Sequence, residues 1–170
     1  HLWATNKVTY MQDEEVLSSW NTILFTLFWL NLVPIWRLGH FYFAHRLLHV
    51  RALYTYVHSL HHRNPDPEPF SGITMHPVEH LYYYSCVFFP SLIVPNISPF
   101  IFHFNFIHCM LSPAAGHSGW EDHWQSDQFH YIHHQKFECN YAGPEHCNFD
   151  GFFGHAINSM GSKKKISNEL

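Results

Sequence analysis

Residues 45–62 read HRLLHVRALYTYVHSLHH, and the fold follows from where these histidines fall. On a helix His45 and His49 lie one turn apart and point from one face, and His58, His61 and His62, at i, i+3 and i+4, gather the same way. The second spacing returns in HYIHH as His130, His133 and His134. A single HxxxH pair is commonly just core or surface. Three polar rings on one face, however, gain little from packing. Eight histidines in three such sets point to metal ligands, because neutral imidazole offers a lone pair at physiological pH. They exceed what one tetrahedral or octahedral ion uses, so the expectation is two ions with about four ligands each and open positions beside them.

Composition narrows the class. A chain of 170 residues suits one domain. Histidine occurs 18 times, aromatics make up 18%, and charged residues only 13%, about half the usual share. Net charge is −4, with no nucleic-acid footprint. The basic run Lys163–Lys165 is short and terminal, a solvated tail or a contact to anionic lipid headgroups. Cys86, Cys109, Cys139 and Cys147 show no CxxC spacing and no disulfide framework, which reads as free thiols in a reducing compartment. The chain opens on His1 without a signal-peptide pattern, which reads as a fragment.

Outward from the histidines, the chain reads as an all-α, helical integral membrane protein. Residues 1–15 form a polar segment whose acids, Asp13 to Glu15, suit a helix N-terminus. Residues 16–36 hold no charge and are long enough to cross a ~30 Å hydrocarbon core, with Pro34 expected to kink or end the helix. A buried helix of a soluble protein would look similar, but such segments recur. Residues 37–57 stay apolar while Arg37, Arg46 and Arg51 enter, as if leaving the bilayer. After the NPDPEP loop, no Asp, Glu, Lys or Arg occurs between Glu79 and Glu121. A helical hairpin over 78–94 and 98–115 is expected there, turning near Pro95, each arm short for a full span. Beyond Trp120 the chain turns polar and loop-rich. The domain is drawn as 16–155, with 156–170 a polar tail.

His76-Pro-Val-Glu-His80 matches the H-x-x-E-H spacing of one metalloprotease class, but Pro77 and the apolar run after it argue against a peptidase. Facing Glu-x-x-His pairs, as in soluble di-iron bundles, are missing from the sequence. HRLLH, HSLHH and HYIHH, followed by NYAG and FDGFFG, instead resemble the fatty acid hydroxylase/sterol desaturase superfamily of membrane-bound histidine-rich di-iron oxygenases, across about residues 37–154. SGITMHPVEH and the histidine of AAGHSGW add to the resemblance.

The resemblance implies a cytosolic histidine-rich cap on a membrane anchor, holding a dinuclear metal centre. By it the metal ligands are His45, His49, His58, His61, His62, His130, His133 and His134, with His117 a ninth. His76 and Glu79 match a family HPxE element, read as orienting ligand rings or lining the pocket. No catalytic residue beyond the ligands is implied. The expected cofactors are two iron ions, with zinc able to replace them in purified samples. The expected reaction is oxygen-dependent hydroxylation or desaturation of a sterol or fatty acyl chain in lipid biosynthesis. Electrons would come from an external donor, such as a cytochrome b-type haem protein or a ferredoxin with its reductase, since the chain has no GxGxxG, haem or iron–sulfur signature. The membrane would be the endoplasmic reticulum in a eukaryote or the inner membrane in a bacterium. The competing reading is a non-catalytic metal-binding or metal-transport membrane protein, whose ligands would spread through the depth of several spans.

Overall fold

The structure is a computed structural model describing residues 8–120, 123–144 and 147–158. His1, His146, Lys163–Lys165 and the tail from 159 lie outside the described residues. In chain order the helices are α1 (Asp13–Val16), α2 (Trp20–Leu48), α3 (Arg51–Tyr56), α4 (Pro77–Ile93), α5 (Pro99–Ala115), α6 (Ser126–Lys136) and α7 (Phe149–Phe152). Two 3-10 turns, His58–Arg63 and Pro69–Ile73, fall between α3 and α4. No strand occurs among the described residues. The one extended pairing is an isolated bridge between Tyr10 and Ile97, so the all-α expectation holds.

α2 starts where a cap is available: Ser19 Oγ accepts the Thr22 N–H at 3.3 Å while Thr22 Oγ1 accepts the Ser19 N–H at 3.2 Å. From there 29 residues run unbroken, roughly 43 Å at ~1.5 Å per residue. The helix does not end at Pro34. An interior proline costs one backbone hydrogen bond, and contact with α4 and α5 on both sides of it outweighs that cost. The two segments anticipated over 16–36 and 37–57 are therefore largely one helix, followed by short α3.

α4 and α5 form an antiparallel pair, both packed on α2. Their turn uses Asn96 at φ 54, a left-handed position that asparagine tolerates. Val33, Val94, Ile97 and Ile101 close one end of this three-helix layer, with Tyr10, Phe25 and Trp29 against them. Leu38 and Tyr42 pack on Tyr141 and Ala142 at the other end. Between these ends many large apolar side chains face outward: Leu24 is 61% exposed, Leu81 76% and Leu111 63%. Of the described helices, α2 alone is long and apolar enough to cross a membrane. α6, α7 and the 3-10 turns collect at the C-terminal end of α2, and the histidines lie there.

Candidate metal centre

Four pieces of chain bring their histidines to one place. The last turn of α2 supplies His45, and its C-cap is His49. The first 3-10 turn carries His58, His61 and His62, all buried. Just past α5 comes His117, and α6 adds buried His130, His133 and His134. The nine fall into two groups, His45, His49, His58, His62 and His133 in one and His61, His117, His130 and His134 in the other, each with ligand atoms within 4.8 Å of one another. Each HxxHH set divides between the groups. His58 and His62 join the first group and His61 the second; His133 joins the first while His130 and His134 join the second.

The tautomers follow from the acceptors around the rings. His45 Nδ1–H donates to the Tyr141 carbonyl at 2.6 Å, His133 to Cys139 O at 2.6 Å and His117 to Pro113 O at 2.6 Å. His134 donates to Asn64 O at 3.2 Å, and His58 to the Glu79 carboxylate at 2.7 Å. A carbonyl or carboxylate can only accept, so the ring proton sits on Nδ1 and Nε2 keeps a bare lone pair. Lone pairs fixed in this way face one another and the Nε2 atoms of His130 and of His62, whose Nδ1 has no partner. His45 Nε2 lies 3.0 Å from His58 Nε2, and His62 Nε2 is 3.1 Å from both His58 and His133. In the second group His117, His130 and His134 close a triangle with sides of 3.1, 3.2 and 3.2 Å.

Two nitrogens without protons at 3.0 Å cannot form a hydrogen bond, and their lone pairs repel. Protons do not fill the gaps either. Burial, with the neighbouring histidines, pushes His58, His62 and His133 well below the ordinary imidazole value. Burial first, with His117 and His49 adding to it at His134, brings His117 and His134 down to about 4. A metal cation satisfies every one of these atoms. Ligands ~2.1 Å from one ion at tetrahedral to octahedral angles stand ~3.0–3.4 Å apart, which is the spacing seen. The buried His49 Nε2 has no protein partner, as a ligand atom should. The residues fit two imidazole-bound ions, and no thiolate or carboxylate belongs to either group.

The depressed histidines set a pH dependence for the metal-free protein. In the unfolded chain these rings bind protons near pH 6.5; folded, His117 and His134 resist until about 4. Stability is therefore present above about pH 6.5 and is lost as pH falls toward 4. Asp150, raised to about 6, and Glu79, raised to about 8, both by burial, act in the opposite sense as pH falls, two groups against several. The melting temperature of chelator-stripped protein should fall steadily from pH 7 to pH 4; a flat profile would contradict this.

Glu79, on the first turn of α4, is buried with one carboxylate oxygen on His58 and the other without a partner. The His76 side chain does not join it. Its Nδ1 accepts the Val78 N–H at 3.2 Å, capping α4, and it lines no part of the cavity described below. His80 Nε2 donates to the Ile73 carbonyl at 3.0 Å, so the H-x-x-E-H run builds no zinc site. His40 Nε2 meets Ser85 Oγ at 3.1 Å, His103 Nδ1 donates to Pro99 O at 2.8 Å, and His155 Nδ1 meets the Tyr42 hydroxyl at 2.8 Å. All three stand apart from the two groups.

The supports that residue spacing does not show are mostly backbone. Buried Asp150 accepts the N–H groups of Tyr141 at 2.7 Å and Ala142 at 2.8 Å, setting the carbonyl that receives His45. Buried Asn140, at φ 53, donates to Phe129 O and Ile157 O, each at 2.9 Å, and ties α6 to residue 157. Their signal was present in NYAG and FDG. Gly72 packs so closely on α5 that an added Cβ would stand 2.7 Å from the Pro113 carbonyl carbon and 2.8 Å from His117 Nδ1. Gly72→Ala should cost ~1–3 kcal/mol by overpacking and weaken metal retention in the second group, read by thermal melting and metal content. Full metal content at an unchanged melting temperature would refute it.

A cavity of about 710 Å³ opens on both groups, touching His45, His58, His61, His117 and His130. This lies within the ~300–1,000 Å³ span of small-ligand sites. Its far wall comes from α2, α4 and α5, including Leu38, Phe41, Tyr82, Tyr83, Phe104 and Ile107. Of the neighbouring aromatics on α2, Tyr42 is fully buried on Phe149 and Phe153, and Phe43 is exposed.

The family model described as fatty acid hydroxylase matches residues 19–155. Over 183 residues the chain is 29% identical to a Delta(7)-sterol 5(6)-desaturase of Gibberella zeae, covering 97% of this chain and 49% of that one. It is 27% identical over 198 residues to a very-long-chain aldehyde decarbonylase of Oryza sativa subsp. japonica, covering 92% and 30%. To methylsterol monooxygenase 1 of Gallus gallus it is 29% identical over 111 residues, covering 59% and 37%. The chain thus spans about half the length of the first of these relatives and about a third of the other two. No solved structure matches.

Proposed function

This chain belongs to the fatty acid hydroxylase family, and from that premise we propose that it is an oxygen-dependent di-iron oxidoreductase that hydroxylates or desaturates a lipid. The observation that carries the proposal is the meeting of two sets of imidazole lone pairs with a cavity walled largely by apolar side chains. His45, His49, His58, His62 and His133 would hold one ion, and His61, His117, His130 and His134 the other. Imidazole alone suits iron, zinc, copper or nickel; family membership favours iron, with zinc able to take its place during purification. Two bound irons supply reductive activation of dioxygen, which attack on an unactivated C–H bond requires.

The protein's own part is positional. Glu79 and the carbonyls of Tyr141, Cys139, Pro113 and Asn64 hold the ring protons on Nδ1 and so keep each Nε2 aimed inward. Phe41 and Tyr83 line the cavity and would keep water from a lipid lying against the histidines. Electrons would come from an external haem or iron–sulfur partner. The domain, 16–155, would sit in the membrane through α2, α4 and α5, whose outward apolar side chains suit lipid. The histidine cap would then lie on the cytosolic side, in the endoplasmic reticulum or a bacterial inner membrane. Ligands gathered at one end of the helices, rather than along their depth, speak against metal transport.

The test is incubation of the purified chain with ferrous iron, a reductant, oxygen and lipid extracts, followed by mass spectrometry. Products shifted by +16 or −2 mass units are expected. No oxidised lipid across sterol and fatty-acyl substrates, or metal content near one ion per chain, would overturn the reading.

A further inference from the structure

The oxidation chemistry leaves unused one charged side chain of the cavity wall. Arg37 reaches the cavity from α2 and His108 from α5, with Arg37 Nη2 3.4 Å from His108 Nε2. Guanidinium stays charged at any working pH. No carboxylate pairs with it among the described residues: of the acids lining the same cavity, Glu79 is held on His58 and Asp127 accepts the Gly119 N–H. Among the described residues the one carboxylate–cation contact is Glu79 with His58. Arg37 meets an imidazole instead. A cation in an apolar layer among such neighbours is costly unless something else completes it, and such residues mark ligand paths.

Arg37 is also placed to orient a ligand. It shares a stripe of α2 with Phe41, Ala44, His45 and Leu48, at i+4, i+7, i+8 and i+11, all lining the cavity. Eight residues separate it from His45, about 12 Å along the helix. A molecule anchored at Arg37 would run past Phe41 and Ala44 and present a point well down its body to the histidines.

We propose that Arg37, held in place by His108, anchors an anionic end group, a carboxylate or a phosphate monoester, of a long-chain lipid, so that the site selects acidic acyl lipids over neutral sterols. This rests on the reading of the cavity as the lipid site. The fork of the guanidinium matches either oxyanion, pairing two N–H donors with two oxygens.

The test is equilibrium binding to the purified full chain in detergent, using radiolabelled stearate, its methyl ester, stearoyl lysophosphatidate and cholesterol. One or both acids should bind at least tenfold tighter than the ester, and which one does identifies the end group. Arg37→Gln should bring the acids to the level of the ester and leave the ester unchanged, while Arg37→Lys retains part of the preference. No preference in the native chain, a preference that survives Arg37→Gln, or cholesterol weakened as much as stearate would overturn the proposal. Ala44→Trp, filling the cavity between Arg37 and His45, separates the two readings. If it abolishes binding while Arg37→Gln has no selective effect, the anchoring role alone fails. If it leaves all binding intact, the cavity is not the lipid site and both fail.

Discussion

Replacing His134 with alanine is expected to abolish lipid oxidation and to take bound metal from two ions per chain to about one. His134 belongs to the four-membered group, where its Nε2 stands 3.2 Å from those of both His117 and His130. Three nitrogens would remain for an ion that must also leave room for oxygen. His133→Ala makes the contrasting case. It belongs to the five-membered group and leaves four imidazoles behind, so that variant should keep close to two ions and bind one of them more weakly. Metal analysis of both variants after gel filtration checks this. Two ions in both, or one in both, would show that the division into four and five does not govern metal retention.

Glu79→Gln should produce the second large effect. The carboxylate accepts the His58 Nδ1–H at 2.7 Å in a buried setting. It therefore fixes the ring and raises the basicity of the opposite nitrogen. Outer partners of ligating histidines are typically worth ~10–100-fold in metal affinity or activity. Glutamine keeps the shape but cannot ionise, so a loss of that size should appear in chelator competition with little change in fold. Alanine should add ~1–3 kcal/mol of destabilisation, because the His58 N–H would then be buried without an acceptor. Equal metal affinity in native and Gln forms would assign Glu79 a packing role only.

Much of this centre was legible before any coordinates. Spacing picked out eight histidines, and resemblance added His117, because histidine type and interval are properties of a single chain. The pairing across groups was not legible. A 3-10 turn has three residues per turn, so His61 lies above His58, and their rings stack 5.4 Å apart while serving different groups. Intervals tell which rings share a face, never which distant ring that face meets. The carbonyl anchors were hidden for another reason: any residue has a carbonyl, so Pro113 and Cys139 advertise nothing. Pro34 does not end the helix because a proline rule is local, whereas this helix is held by α4 and α5. Between the two residues of the HPxE element, coordinates place Glu79 at the cluster and spend His76 on a helix cap.

The division of each HxxHH set carries a consequence for assembly. His61 and His62 are sequence neighbours on opposite sides of the divide, as are His133 and His134. An ion captured by either group freezes backbone that the other group also needs, and so prepays part of its ordering entropy. The second ion should therefore bind more tightly than the first. Titration of stripped protein would then be sigmoidal, with half-loaded chains scarce at every point, so that a cell would hold this protein either empty or complete.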